Sequence, residues 1–98
     1  MEYSFITITG VKNYYSLKPF SVGKILTLKK EPENAYDNEA IKVTLPSIDT
    51  VGYVANSAHT VYAGTMSAGR LYDKIADEAH AVVMFITHSS VIAAVLPD

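Results

Sequence analysis

The run Asn34-Ala35-Tyr36-Asp37-Asn38 sets one aromatic ring beside one carboxylate, in a stretch where Pro32, Asn34 and Asn38 favour a turn. A tyrosine ring offers a flat surface on which a nucleobase stacks for about 1–3 kcal/mol. An ionised carboxylate accepts hydrogen bonds but repels phosphate, so the pair is ill suited to gripping a nucleic-acid backbone. It suits a strand terminus, where a free sugar hydroxyl replaces the phosphodiester and donates to Asp37. A second reading of the same residues stays open: Asp37 caps its own backbone in an Asx turn and Tyr36 covers the end of the fold. Asn34 can donate to a phosphate or a base, although turn formation alone accounts for it.

The elements that must hold this turn read mainly as strands. Tyr3 to Val11 alternates Ile6 and Ile8 against Thr7 and Thr9, with Gly10 at its end or in a bulge. Lys12 to Gly23 is a loop, and Lys24 to Lys29 is a second strand whose pairing stops at Pro32, which has no N–H to donate. Ala40 to Leu45 alternates cleanly, so Ile41, Val43 and Leu45 are expected in the core and Lys42 and Thr44 on the other face. After a turn at Pro46 to Asp49, Thr50 to Val54 is a short strand in which Gly52 either bends the sheet or admits a close neighbour. Ser57 and Ser67 can cap short helices running to about Ala63 and about Asp77, the second docking through Leu71 and Ile75. Ala81 to Thr87 and Val91 to Leu96 are two more strands, joined by a tight hairpin at His88-Ser89-Ser90. Strands this short and numerous predict a closed or nearly closed barrel, which also shields the sheet edges.

At 98 residues the chain reads as a single domain over 1–98, with 49% hydrophobic and 18% charged residues, the profile of a globular fold. There is no cysteine, which excludes disulfides and thiolate zinc sites. The N-terminal residues lack a basic stretch and an apolar core, and no run reaches the roughly 18 apolar residues of a membrane span, so a cytoplasmic protein is expected. The net charge of −2 argues against a generic nucleic-acid coat. It hides a split. Lys12, Lys18, Lys24, Lys29 and Lys30 stand against Glu2 alone in residues 1–30, whereas nine of the ten acidic residues lie beyond them.

The pattern Glu31-Pro32-Glu33-Asn34-Ala35-Tyr36-Asp37, running on to Ala40-Ile41-Lys42-Val43 and followed by Val51-Gly52-Tyr53, resembles the HIRAN domain. HIRAN modules are known mostly from the N-termini of DNA-repair and replication-fork ATPases. The resemblance spans about Phe5 to Val95 and implies a mainly β fold: an OB-like six-stranded β-barrel with one or two short helices inserted between strands 4 and 5. It also implies that Tyr36 and Asp37 hold the last nucleotides and the 3′-hydroxyl of single-stranded DNA. By the same resemblance, Lys12 is a phosphate contact, Tyr14 or Tyr15 a second stacking platform, and Tyr53 and Asn56 polar groups facing the strand. Ala35 stands where the family usually has Pro, Tyr53 and Asn56 are uncharged where fork-remodelling members are basic, and the hairpin from His88 to Val91 lacks an aromatic.

No enzyme signature is present, since the glycines are scattered and no G-x-S-x-G elbow occurs. Asp73, Asp77, Glu78 and His80 do not converge as metal ligands at their spacing, and His59 beside Ser57 has no orienting acid. The expected function is therefore a non-catalytic module that captures single-stranded DNA ends in repair or replication, with no cofactor and no membrane partner. Any motor activity would come from a separate helicase or ATPase subunit. A free-standing chain of this kind looks bacterial or phage-like. The alternative is a protein–protein interaction module in which the same aromatic groove holds a peptide.

Overall fold

The computed structural model describes residues 4–97. Six strands, β1 (Phe5–Thr9), β2 (Ile25–Glu31), β3 (Ala40–Leu45), β4 (Asp49–Val54), β5 (Glu78–Ile86) and β6 (Val91–Val95), close an antiparallel barrel in the order β1-β4-β3-β2-β5-β6. One α-helix, α1 (Ala68–Tyr72), lies between β4 and β5, and a single 3-10 turn (Val11–Asn13) follows β1. The predicted start of the first strand at Tyr3 lies outside the described residues.

Alternation sets which side chains fill the barrel. Ile6 and Ile8, Leu26 and Leu28, Ile41, Val43 and Leu45, Val51, Ala81 and Val83, and Val91 and Ala93 point inward and are buried, one set from each strand. Leu71 of α1 and Phe20 of the long first loop join that core. Removing apolar surface of this kind from water contributes roughly 25 cal/mol per Å². The barrel therefore stands on aliphatic packing, with the polar turn residues left at its rim.

Three expectations need correction. Ser57 to Ala63 forms no helix, because that segment lies across the outer face of β1. The N–H of Tyr62 donates to Thr7 Oγ1, the Thr65 and Thr7 hydroxyls share a 2.8 Å hydrogen bond, and Met66 N–H donates to the Phe5 carbonyl. Of this segment's backbone only the Tyr62 N–H is taken by a tertiary bond, while Thr60 and Val61 N–H close a single turn on the Ser57 carbonyl; the bonds at Thr7 satisfy its fully buried hydroxyl. The helix capped by Ser67 does form, with Ser67 Oγ accepting from Arg70 N–H, but it stops at Tyr72 rather than near Asp77. The chain is already committed to β5 there, since Asp77 accepts from Lys30 N–H and Glu78 pairs with Lys29. Finally, Thr44 is buried rather than exposed on a polar face. It lies between its register partners Thr27 and Thr50, and the β3–β4 ladder slips at this point, Val43 facing Gly52 but Thr44 facing Thr50.

Candidate nucleic-acid interface

The turn between β2 and β3 is built by Asn34. Its Oδ1 accepts from the backbone N–H of Tyr36 (2.9 Å) and of Asp37 (3.1 Å), and its amide nitrogen donates to Glu31 Oε1 at 3.1 Å. Asn34 thus shapes the loop with both ends of its amide. The result is that Tyr36 is pushed out of the fold, 97% exposed, and does not cover the barrel end.

Asp37 is held from two sides. Oδ1 accepts from Glu39 N–H at 2.9 Å, the Asx turn foreseen from sequence, and Oδ2 accepts from the Asn56 side-chain amide at 2.8 Å. Asn56 in turn accepts from Gly69 N–H at 2.8 Å, which ties the carboxylate to the first turn of α1. A carboxylate oxygen has room for more than one donor, so Asp37 stays able to accept a further hydrogen bond while its orientation is fixed.

Tyr53, on β4, donates its hydroxyl to Glu31 Oε1 at 2.7 Å, and its ring lies 6.4 Å from that of Tyr14 at a tilt of 39°. Burial pushes the Glu31 carboxyl up, but hydrogen bonds from Tyr53 and Asn34 and the charge of Lys42 outweigh it and hold it below 4.5. Burial, and then the same carboxylate, push the Tyr53 phenol well above its ordinary 10. Lys42 lies 3.7 Å from Glu31 and 4.0 Å from Asp49, so its charge is already matched. Glu31 is therefore the joint between the turn and the tyrosine behind it. Because its folded value is depressed, the stability it contributes is present above its unfolded value near 4.5 and is lost as pH falls through the lower folded value. Unfolding free energies from urea titration of the native chain and Glu31→Gln should accordingly differ by about 1–2 kcal/mol at neutral pH, and the difference should shrink as pH falls below the unfolded value near 4.5.

These residues enclose a groove of about 510 Å³ in which Tyr14, Tyr36, Asp37, Tyr53 and Asn56 meet. Asn34 lines it from the turn, and Asn13 and Thr60 complete it, two residues that had no distinguishing motif in the sequence. Of the two candidate tyrosines Tyr14 faces this groove; Tyr15 is half exposed and does not line it. Lys12 lies instead in a neighbouring cleft, with Lys18, His59 and His88. The five lysines of the first 30 residues do not form one patch: Lys24 donates to the Pro19 carbonyl, and Lys30 sits 4.6 Å from the centre of the Tyr72 ring.

Comparison with known proteins bears on the family and the fold. The family model of the HIRAN domain matches residues 1–92. Among solved structures, the HIRAN domain of human HLTF superposes with a TM-score of 0.67 at 21% identity, covering 95% of this chain and 72% of that one. A protein from Lactobacillus plantarum gives the same score at 18% identity, covering 94% of this chain and 88% of its own. Curated protein sequences give no significant match. At these identities the two structures establish the shared fold alone. With the sequence of nearly the whole chain matched by the family model and the barrel shared, the chain belongs to the HIRAN domain family.

Proposed function

We propose that the chain is a non-catalytic DNA-binding module that captures the 3′-hydroxyl end of a single strand. The observation that carries the reading is the juxtaposition of an almost fully exposed Tyr36 ring with an Asp37 carboxylate clamped by Glu39 N–H and Asn56. Tyr36 stacks the terminal base, with Tyr14 as the second platform, and Asp37 accepts from the terminal hydroxyl. Membership in a family of DNA-binding modules supports the same reading, as does the groove's lack of any lysine or arginine, which leaves a terminal nucleoside a better guest than a phosphodiester. The setting would be DNA repair or replication in a bacterial cytoplasm, alongside a separate helicase or ATPase.

That same lack of cations supports a second reading, in which three tyrosines and one carboxylate hold a cationic peptide side chain. The discriminating experiment is titration with short labelled single strands bearing free or blocked 3′ ends, repeated across salt concentrations. Tyr36→Ala should weaken every such strand by about 1–3 kcal/mol whatever its terminus, because stacking does not sense the end group. Undiminished binding after that change would remove Tyr36 from the interface.

A further inference from the structure

Val22, Ile25, Met84 and Phe85 stand between 38% and 67% exposed along the outer wall formed by β2 and β5. Strand register brings them together. Ile25 pairs with Val82, and the Gly23 N–H donates to the Val83 carbonyl at 2.8 Å, so the chain leading into β2 runs Val22 alongside the Met84 end of β5. Val83 points into the barrel, and strict alternation would bring Phe85 in behind it. The β5–β6 ladder slips there instead: Val83 faces Ala93 and Phe85 faces Ile92, with Met84 as the extra residue. Phe85 therefore joins the outward row of Ile92 and Thr7, and unlike those two, which are buried, it is left in solvent. In that position it adds nothing to the barrel's own core.

Two properties of the face select its occupant. The first is charge. Val22, Ile25, Val82, Met84 and Phe85 carry none, and the neighbouring Lys24 turns its ammonium group to the Pro19 carbonyl at 3.0 Å. A two-fold interface sets a patch against its own copy, which brings like charges together wherever the patch is charged. This face meets itself without that repulsion. The second property is area. At these exposures the side chains present on the order of 400 Å² of apolar surface, as much as the largest patch of a typical monomer. Interfaces are about 60% apolar, so that core with a polar rim corresponds to roughly 1,300 Å² buried between two copies, at the lower end of the range for specific complexes. We propose that the chain associates with a second copy of itself through this β2–β5 face, as a reversible two-fold dimer with Phe85 near its centre. β5 stands three places from β4 in the ring of strands, so the face lies across the barrel from Tyr53. Both tyrosine grooves of the dimer stay open, and whatever they hold is held in two copies.

The test is sedimentation equilibrium of the native chain, with no ligand added, from about 2 to about 500 μM, a span that brackets a weak dimer. The mass should rise from the 10.7 kDa of one chain toward twice that value. Phe85→Glu should weaken association at least about tenfold, because it removes the central aromatic and sets like charges face to face. Tyr36→Glu makes the same change of charge on an exposed aromatic at the groove, and it should leave association within about twofold. Val22→Glu repeats the test in the turn before β2, outside every strand, and a thermal melt verifies that the barrel persists in each variant. A native chain that stays at 10.7 kDa throughout overturns the dimer and gives the face to a different protein. A dimer that survives both Phe85→Glu and Val22→Glu, or that Tyr36→Glu dissolves equally, overturns its placement on this wall.

Discussion

A single strand ending in a 3′-hydroxyl is expected to bind at least about tenfold tighter than the same strand ending in a 3′-phosphate, a difference of about 1.4 kcal/mol. The cause is Asp37. A carboxylate within about 4 Å of a phosphate is repelled by roughly 1 kcal/mol in water, and by more where solvent is partly excluded. Against a free hydroxyl it accepts a charge-assisted hydrogen bond worth roughly 1.5–3 kcal/mol. Asp37→Ala should abolish most of the preference, but it also releases Glu39 N–H and Asn56, so the loop could move. Asp37→Asn is the cleaner change, because an asparagine can keep the Asx turn while losing the charge. Its signature should be a gain for the 3′-phosphate strand together with a loss for the 3′-hydroxyl strand. Equal binding of the two strands to the native chain would leave Asp37 as a turn residue and move the peptide reading ahead.

The second large effect concerns Gly52. A β-carbon there would stand 2.9 Å from Ile8 Cγ2, 3.0 Å from the Thr9 carbonyl oxygen and 3.3 Å from Val11 Cγ1. The first and third neighbours are buried side chains and the second is backbone, so none can swing away. Gly52→Val should therefore destabilise the barrel by about 3 kcal/mol, at the upper end of overpacking effects. For a domain of this size that lowers Tm by on the order of 10–20 °C. Because Tyr53 follows directly and β1 leads into the turn that carries Tyr14, whatever folded protein remains should also bind DNA less well. A melting curve within a few degrees of the native one would show that β1 can retreat.

How far the chain was legible depended on where each residue finds its partners. The bounds of Ala40–Leu45 and its inward set Ile41, Val43 and Leu45 were legible, since alternation is local information, whereas the burial of Thr44 was not, since it accompanies the slip against β4. The barrel followed from strand count, and Gly52 was legible as a bend or a close approach, the structure choosing the second. Ser57 to Ala63 was not legible. Beyond one local turn on the Ser57 carbonyl, its backbone bond to β1 runs from Tyr62 to Thr7, 55 residues away in sequence, and no local periodicity announces it. The Tyr36–Asp37 pair stood out by residue type, and its Asx turn was anticipated. The clamp from Asn56, the anchoring of Tyr53 on Glu31 and the separation of Lys12 from the groove all rest on strand register, which the sequence does not print.

Closure of the barrel has a kinetic side. The seam that completes it joins β1 to β6, with Phe5 facing Ala94 and Ile8 facing Val91, so the two strands nearest the ends of the described chain must find each other. Every other neighbour except β2 and β5 in the ring is separated by far less sequence, apart from β1 and β4. Such pairings close the longest loops and are formed against the greatest chain entropy, which places barrels of this kind among the slower two-state folders, at roughly milliseconds to seconds. During synthesis β1 can pair with β4 once Val54 has emerged, but its seam with β6 stays open until Val91 to Val95 has followed. Until that seam closes the nascent chain carries two unpaired strand edges, and it is the unfinished chain, rather than the native ring, that is exposed to edge-to-edge association.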